Sequence, residues 1–238
     1  MAKVKSEKLA AGKNRRGIEE AEFWEKQDMA YRRRNLRRAK VAARLLALVP
    51  FLRLAGLNGS IVRAEETPES DIDFLIIARS GRLYTTRFFA TSLVHLTGWR
   101  RHGKKVAGRI CLNCYLNDEH PTLIPSNPVS CFRVAEANKH FVPLVGDKET
   151  EEKFWRANGW FGSFKVEGEE YAEGLRRNLA KRGLRRRLVI SEVFLRGNFG
   201  DWLEKKLMDY QMRRIICGAQ EGDEVVATEE EIRLHPRK

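Results

Sequence analysis

Two carboxylates one residue apart, Asp71 and Asp73, follow a Gly59-Ser60 pair and open the apolar run Ile72 to Ile77. Alternate side chains of an extended strand leave on the same face. The spacing therefore predicts that Asp71 and Asp73 stand together, while Ile72, Phe74 and Ile76 enter a core on the other side. Hard divalent cations such as Mg²⁺ are held by carboxylate, phosphate and water oxygens. Paired carboxylates can hold two such ions, one serving the attacking oxygen of a phosphoryl transfer and one the leaving group. Gly59 lets the backbone approach a phosphate with no Cβ in the way. Ser60 adds a hydroxyl to backbone N–H groups that can form an anion-binding nest, and Arg63 offers a further phosphate contact.

The segment from Leu57 to Ile77 resembles the DNA polymerase beta-like nucleotidyltransferase superfamily, and within it the minimal nucleotidyltransferase type. That pattern is Gly-Ser, a loop containing Ala-Arg-Gly, then Ser-Asp-x-Asp. Gly59, Ser60, Arg63, Ser70, Asp71 and Asp73 fall on matching positions with the common loop length, and Ala64 stands where Gly is usual. The resemblance implies Mg²⁺-dependent transfer of a nucleoside monophosphate from a nucleoside triphosphate to an acceptor. Asp71 and Asp73 would be the catalytic metal ligands for two Mg²⁺ ions, with Mn²⁺ as an alternative. Gly59, Ser60, Arg63 and Ser70 would bind the nucleotide.

The superfamily usually adds a third carboxylate on a later strand, and Arg109 to Leu116 is the matching strand here. Strict alternation sends Ile110, Leu112, Cys114 and Leu116 to one face and Cys111, Asn113 and Tyr115 to the other. Asn113 then stands at the third position as a degenerate ligand, since an amide oxygen can coordinate but cannot act as a base. Asp118 and Glu119, just past the strand, are the substitutes within reach in sequence. Asn113 motivates a second expectation, a catalytically degenerate nucleotide- or RNA-binding protein of the same fold. A toxin–antitoxin component is a third, resting on fold analogy alone, and a solvated surface pair of aspartates is the plain alternative. Looser matches at Ile110–Leu116, Val134–Trp160, Tyr210-Gln211-Met212 and His235-Pro236 extend the resemblance to uncharacterised bacterial nucleotidyltransferase-domain proteins.

These residues need a scaffold, and the pattern along the chain predicts an α+β fold with a small mixed sheet, flanking helices and a helical C-terminal region. A flexible basic tail is expected over 1–17, a helix plus the core over 18–146, and a mainly helical region over 147–238. The first long helix runs from Gly17 to Val49 and is closed by Pro50. Core strands follow near Arg53–Leu57, Ile72–Ala78 and Val106–Leu116, with a helix over Leu83–Leu96. Helices are expected over Pro128–Phe141 and Thr150–Ala157, then from Glu169 to Gly218 with breaks near Gly183 and Gly197–Gly200. Asp201 and Glu204 read as a pair opening their own helix, and Ala219 to Lys238 reads as polar and extended.

The 238 residues carry a net charge of +13. Residues 1–50 hold 14 Lys and Arg against 6 acids, and residues 171–220 hold 12 against 5. Arg33, Arg37, Lys40 and Arg44 recur at helical spacing opposite Val41, Leu45 and Leu48, and Arg176, Arg177 and Arg185–Arg187 form a second cluster. Clustered Lys and Arg displace counterions from a polyanion, so RNA is an expected acceptor, set against a simple solvated face. Cys111, Cys114, Cys131 and Cys217 are too scattered for a disulfide framework. Cys111 and Cys114, three apart on a strand, are expected on opposite faces and unable to share an ion. No apolar run is long enough to span a bilayer, and no secretory signal opens the chain, so no membrane partner and a cytoplasmic location are expected.

Overall fold

The computed structural model describes residues 30–125, 128–180, 190–220 and 224–235. The basic tail, the start of the first helix, Arg185–Arg187, the break near Gly183 and Pro236 lie outside the described residues. Six strands form one mixed sheet in the order β4-β1-β2-β3-β6-β5. They are β1 (Leu52–Leu57), β2 (Ile72–Ala78), β3 (Ile110–Asn117), β4 (Val142–Gly146), β5 (Glu224–Ala227) and β6 (Glu231–His235). Helix α1 covers residues 30–46, α2 is the single turn Ser60–Arg63, and α3 (Leu83–Leu96) makes the crossover from β2 to its parallel neighbour β3. Then come α4 (Pro128–Asn138), α5 (Lys148–Ala157), α6 (Glu169–Ala180), α7 (Ile190–Phe194) and α8 (Asn198–Gly218). The fold is α+β, with helices on both faces of the sheet.

Covering both faces explains why β2 reads as the unbroken apolar run Phe74 to Ala78 and not as an alternation. Ile72, Phe74, Ile76 and Ala78 pack with Leu46 of α1 and Ala90 and Val94 of α3. Leu75 and Ile77 face the other way, with Val134 of α4 and Phe154 of α5. Both faces of the strand thus belong to cores, and only the N-terminal part of the second face is left for Asp73.

The order strand, loop, strand, helix, strand emerges as expected, and several details differ. Residues 142–146, which follow the expected helix over Pro128–Phe141, form an edge strand beside β1; a proline, here Pro143, is tolerated at a sheet edge. The C-terminal stretch folds back as a hairpin, β6 pairing antiparallel with β3. The buried face of α1 is Ala39, Ala42, Ala43 and Leu46, whereas Leu48 is exposed and Val41 and Leu45 are only partly covered. Glu204 does not cap its own helix. Its carboxylate accepts from the Tyr84 and Thr85 N–H groups, both at 2.8 Å, at the start of α3, and Asp201 is paired with Arg82. The α3 sequence has no acid in its own first turn, and α8 supplies one from across the fold.

Strand β3 departs from strict alternation in the way that matters most for function. Asp73 pairs with Cys111 and Phe74 with Leu112, but Leu75 pairs with Cys114. Asn113 is the extra residue of a bulge. Beyond it the faces exchange. Tyr115 joins Ile110 and Leu112 in one core, while Cys114 and Leu116 enter the other with Leu75. The expectation that Cys111 and Cys114 lie on opposite faces is therefore corrected, although Cys114 is buried deeper among apolar side chains.

Candidate functional site

The site lies at the N-terminal ends of the parallel strands β2 and β3. Asp71 sits directly before β2, and the Ile72 N–H donates to Arg109 O at 2.7 Å, drawing the two strand starts together. Asp71, Asp73 and Cys111 bring one oxygen or sulfur each to within 4.8 Å of one another. No other such group of three or more His, Cys, Asp or Glu side chains occurs among the described residues.

Gly59 approaches this cluster most closely from the β1–β2 loop. Its backbone, φ 71° and ψ −151°, lies in a region that is essentially glycine's alone. A Cβ at this position would lie 2.6 Å from Asp73 Oδ2. The turn is fixed from both sides. Gly59 N–H donates to Ala137 O of α4 at 2.8 Å, and Asn58 N–H donates to Asp73 O at 3.2 Å. Asn58 also donates through Nδ2 to the buried Asn138, which itself bonds Val134 O. Asn58, the residue before Gly59, thus anchors the turn on α4.

The expected nucleotide-binding residues divide. Ser60 begins α2 next to Gly59, and its carbonyl accepts from Glu65 N at 3.1 Å. Ser70 precedes Asp71; its hydroxyl accepts from Thr67 N at 2.9 Å and its carbonyl accepts from Gly108 N at 2.7 Å. Arg63 is directed at protein groups. Its guanidinium donates to Glu136 O at 2.6 Å and to Glu65 Oε2 at 2.8 and 2.6 Å, tying α2 to α4. Ala64 adopts the left-handed conformation, φ 60° and ψ 26°, where a glycine would be unstrained.

Asn113 does reach the cluster, as a donor. Its Nδ2 lies 3.0 Å from Asp73 Oδ1, and its Oδ1 is buried with no hydrogen-bond partner among the described residues. Asp118 is excluded as a replacement: at the far end of β3 it accepts from Arg53 at 3.1 Å and from Ser80 N at 2.8 Å. Glu119 lies one residue beyond it, and Asp118 is seven positions along the chain from Cys111, roughly 23 Å of extended chain.

Two contributors went unread in the sequence. Arg101 donates to Asp71 Oδ2 at 2.6 Å and lies 3.7 Å from Cys111 Sγ. Burial opposes the Arg101 charge, but Asp71 and then Cys111 outweigh it and hold its pKa above the ordinary value. The Cys111 thiol, in the enclosed part of the cluster, is pushed well above its usual range by burial and then by Asp73 and Asp71, with Arg101 pulling the other way. The signal for Arg101 is the basic stretch before β3. Trp99 to Arg101 runs alongside the strand's first residue, with Ile110 N–H donating to Trp99 O at 2.7 Å and Arg101 N–H to Ile110 O at 2.8 Å.

Two carboxylates and a cysteine sulfur at short range form a donor set suited to a divalent cation, the sulfur binding as thiolate. Hard oxygens favour Mg²⁺ or Mn²⁺, and the sulfur extends the range to softer ions. The glycine turn against Asp73 leaves room that a side chain would fill. Comparison of the chain with protein-family models, with curated proteins and with solved structures finds no match. Among the described residues no helix is long and apolar enough to cross a membrane.

Proposed function

We propose that this chain holds a divalent cation and a nucleoside triphosphate at Asp71, Asp73 and the Gly59 turn, and moves the nucleoside monophosphate to an acceptor. The contact between Gly59 and Asp73 carries this reading. A merely solvated aspartate pair has no need of a glycine-only backbone held against one of its oxygens, whereas a phosphate site beside a metal ligand requires that close approach. The cation, when bound, neutralises phosphate charge and favours the ionised form of an attacking hydroxyl. The protein's part is positional. Asn113 and the Asn58 N–H orient Asp73, and Gly59 opens the space above it. Arg101 holds Asp71 through Oδ2, and the carboxylate's second oxygen remains available as a ligand for the cation.

Binding without transfer is the second reading, favoured by one observation. Cys111 and Asn113 occupy the places nearest the pair, so no third carboxylate joins the cluster among the described residues. The two readings separate in one experiment. Purified protein is incubated with α-labelled nucleoside triphosphates and Mg²⁺ or Mn²⁺, scoring bound nucleotide and label transferred to cellular RNA, protein or metabolites. Asp71→Asn with Asp73→Asn is expected to abolish metal-dependent binding while leaving the circular dichroism spectrum unchanged. Metal-dependent binding that survives the double substitution refutes the site. Binding without transferred label in the wild-type protein selects the second reading.

A further inference from the structure

A cluster of positive charge gathers around Gly108, in the loop before β3. Arg33, Arg34, Arg37 and Arg38 of α1 line a groove of about 430 Å³ together with Trp99. The Arg34 and Arg38 guanidiniums converge on one point. A Cβ built on Gly108 would lie 2.9 Å from Arg38 Nη1 and 3.4 Å from Arg34 Nη2. Arg38 also donates to Gly108 O at 2.7 Å and lies over the Trp99 ring, 5.9 Å from its centroid. None of these four arginines, nor Arg109 beside them, is ion-paired to a carboxylate among the described residues. Burial first, then Arg34 and Arg109, hold Arg38 below its ordinary pKa. Like charges gathered around a glycine without counter-charge create a field that attracts a polyanion.

The dimensions and the ring identify its class. The exposed stripe continues from Arg33 and Arg37 to Lys40 and Arg44, about 16 Å along a helix. One phosphate group cannot span that length; a chain of phosphates can. Trp99 adds an aromatic surface of the kind on which unpaired bases stack. We infer that the α1 groove binds single-stranded nucleic acid, phosphates on Arg33, Arg34, Arg37 and Arg38 and a base against Trp99. Gly108 joins this groove to the carboxylates, because its N–H donates to Ser70 O, next to Asp71. A strand end in the groove would therefore lie beside the cluster as acceptor. Only this last clause rests on the transfer reading.

The experiment measures fluorescence anisotropy of labelled twelve-nucleotide oligouridine and oligodeoxythymidine with the full chain, across a salt series, in EDTA and without nucleotide. Arg33→Gln, Arg34→Gln and Arg37→Gln together are expected to weaken binding at least about tenfold and to flatten the log–log salt slope by about 2, three contacts at about 0.7 each. Lys205→Gln with Lys206→Gln, an exposed pair on α8, should change affinity less than about twofold. Thermal unfolding checks that each variant is folded. Equal losses in both variants, or none in the first, overturn the groove. Competition by inorganic polyphosphate as effective as unlabelled oligonucleotide at equal phosphate overturns the stacked base and makes the groove a general polyanion site. Since cation and nucleotide are absent, strand binding stands or falls apart from Asp71 and Asp73. Absence of metal-dependent nucleotide binding in the wild-type protein, with strand binding intact, would refute the transfer reading alone.

Discussion

Replacing Gly59 with alanine tests whether the turn exists to approach Asp73. At φ 71° and ψ −151°, a non-glycine residue costs about 1–3 kcal/mol. The new Cβ would start 2.6 Å from Asp73 Oδ2. An ordinary carbon contact is about 3.5 Å, so the carboxylate must move by roughly 1 Å. That movement strains its hydrogen bond from Asn113, at 3.0 Å, and hydrogen bonds to charged groups contribute about 1.5–3 kcal/mol. If that hydrogen bond is lost, the combined cost is about 2.5–6 kcal/mol. Gly81 provides the control, with φ +70° and nothing within 4 Å of a built Cβ, so Gly81→Ala carries only the conformational penalty of about 1–2 kcal/mol. Urea unfolding should place Gly59→Ala at least about 1 kcal/mol below Gly81→Ala, the part due to the carboxylate contact. Calorimetric titration with Mn²⁺ should show an affinity loss of about tenfold or more, equal to about 1.4 kcal/mol, in Gly59→Ala only. Equal destabilisation of the two variants, with metal affinity intact in both, would refute the argument.

Asn113→Asp places a third carboxylate beside Asp73. Without metal the like charges should lower stability by about 1–2 kcal/mol, and Mn²⁺ should more than restore it, read as melting temperature with and without the ion; lowered stability with unchanged metal affinity would make Asn113 purely structural. Cys111→Ser removes the cluster's one soft donor, so Cd²⁺ affinity should fall by about tenfold while Mg²⁺ affinity changes little, and an unchanged Cd²⁺ titration would remove sulfur from the site.

The parts of the fold legible in the sequence are those governed by local pattern. The apolar run of β2, the helical spacing of α3 and the Gly59-Ser60 turn are set by residues close in the chain, and the structure forms them within a residue or two of the expected bounds. What the sequence hid depends on partners far away. Val142–Gly146 becomes a strand because β1 offers it an edge, and Glu204 becomes a cap because α8 crosses the start of α3. Arg176, counted with the basic surface, instead donates to Phe141 O at 2.7 Å and lies 5.0 Å over the Trp155 ring. A guanidinium's role follows from what surrounds it, which composition cannot disclose.

The bulge at Asn113 connects the packing of β3 with its chemistry. Before it, Cys111 lies level with Asp73; after it, Cys114 and Leu116 enter the core shared by α4 and α5. Were Asn113 paired regularly instead of bulged, strict alternation would turn Tyr115 into that core and Leu116 away from it. The insertion lets one strand supply a polar start and an apolar finish on the same face, as β2 does with Asp73, Leu75 and Ile77. The polar ends then meet where Gly59 leaves space, and the loop before β3 brings Arg101 to Asp71 on one side and Gly108 to the α1 arginines on the other. Negative and positive clusters thus both contact a single short segment, residues 99–109. A cation at the first and a polyanion at the second would each act on that segment, so occupancy of one should change affinity for the other by the same factor in both directions.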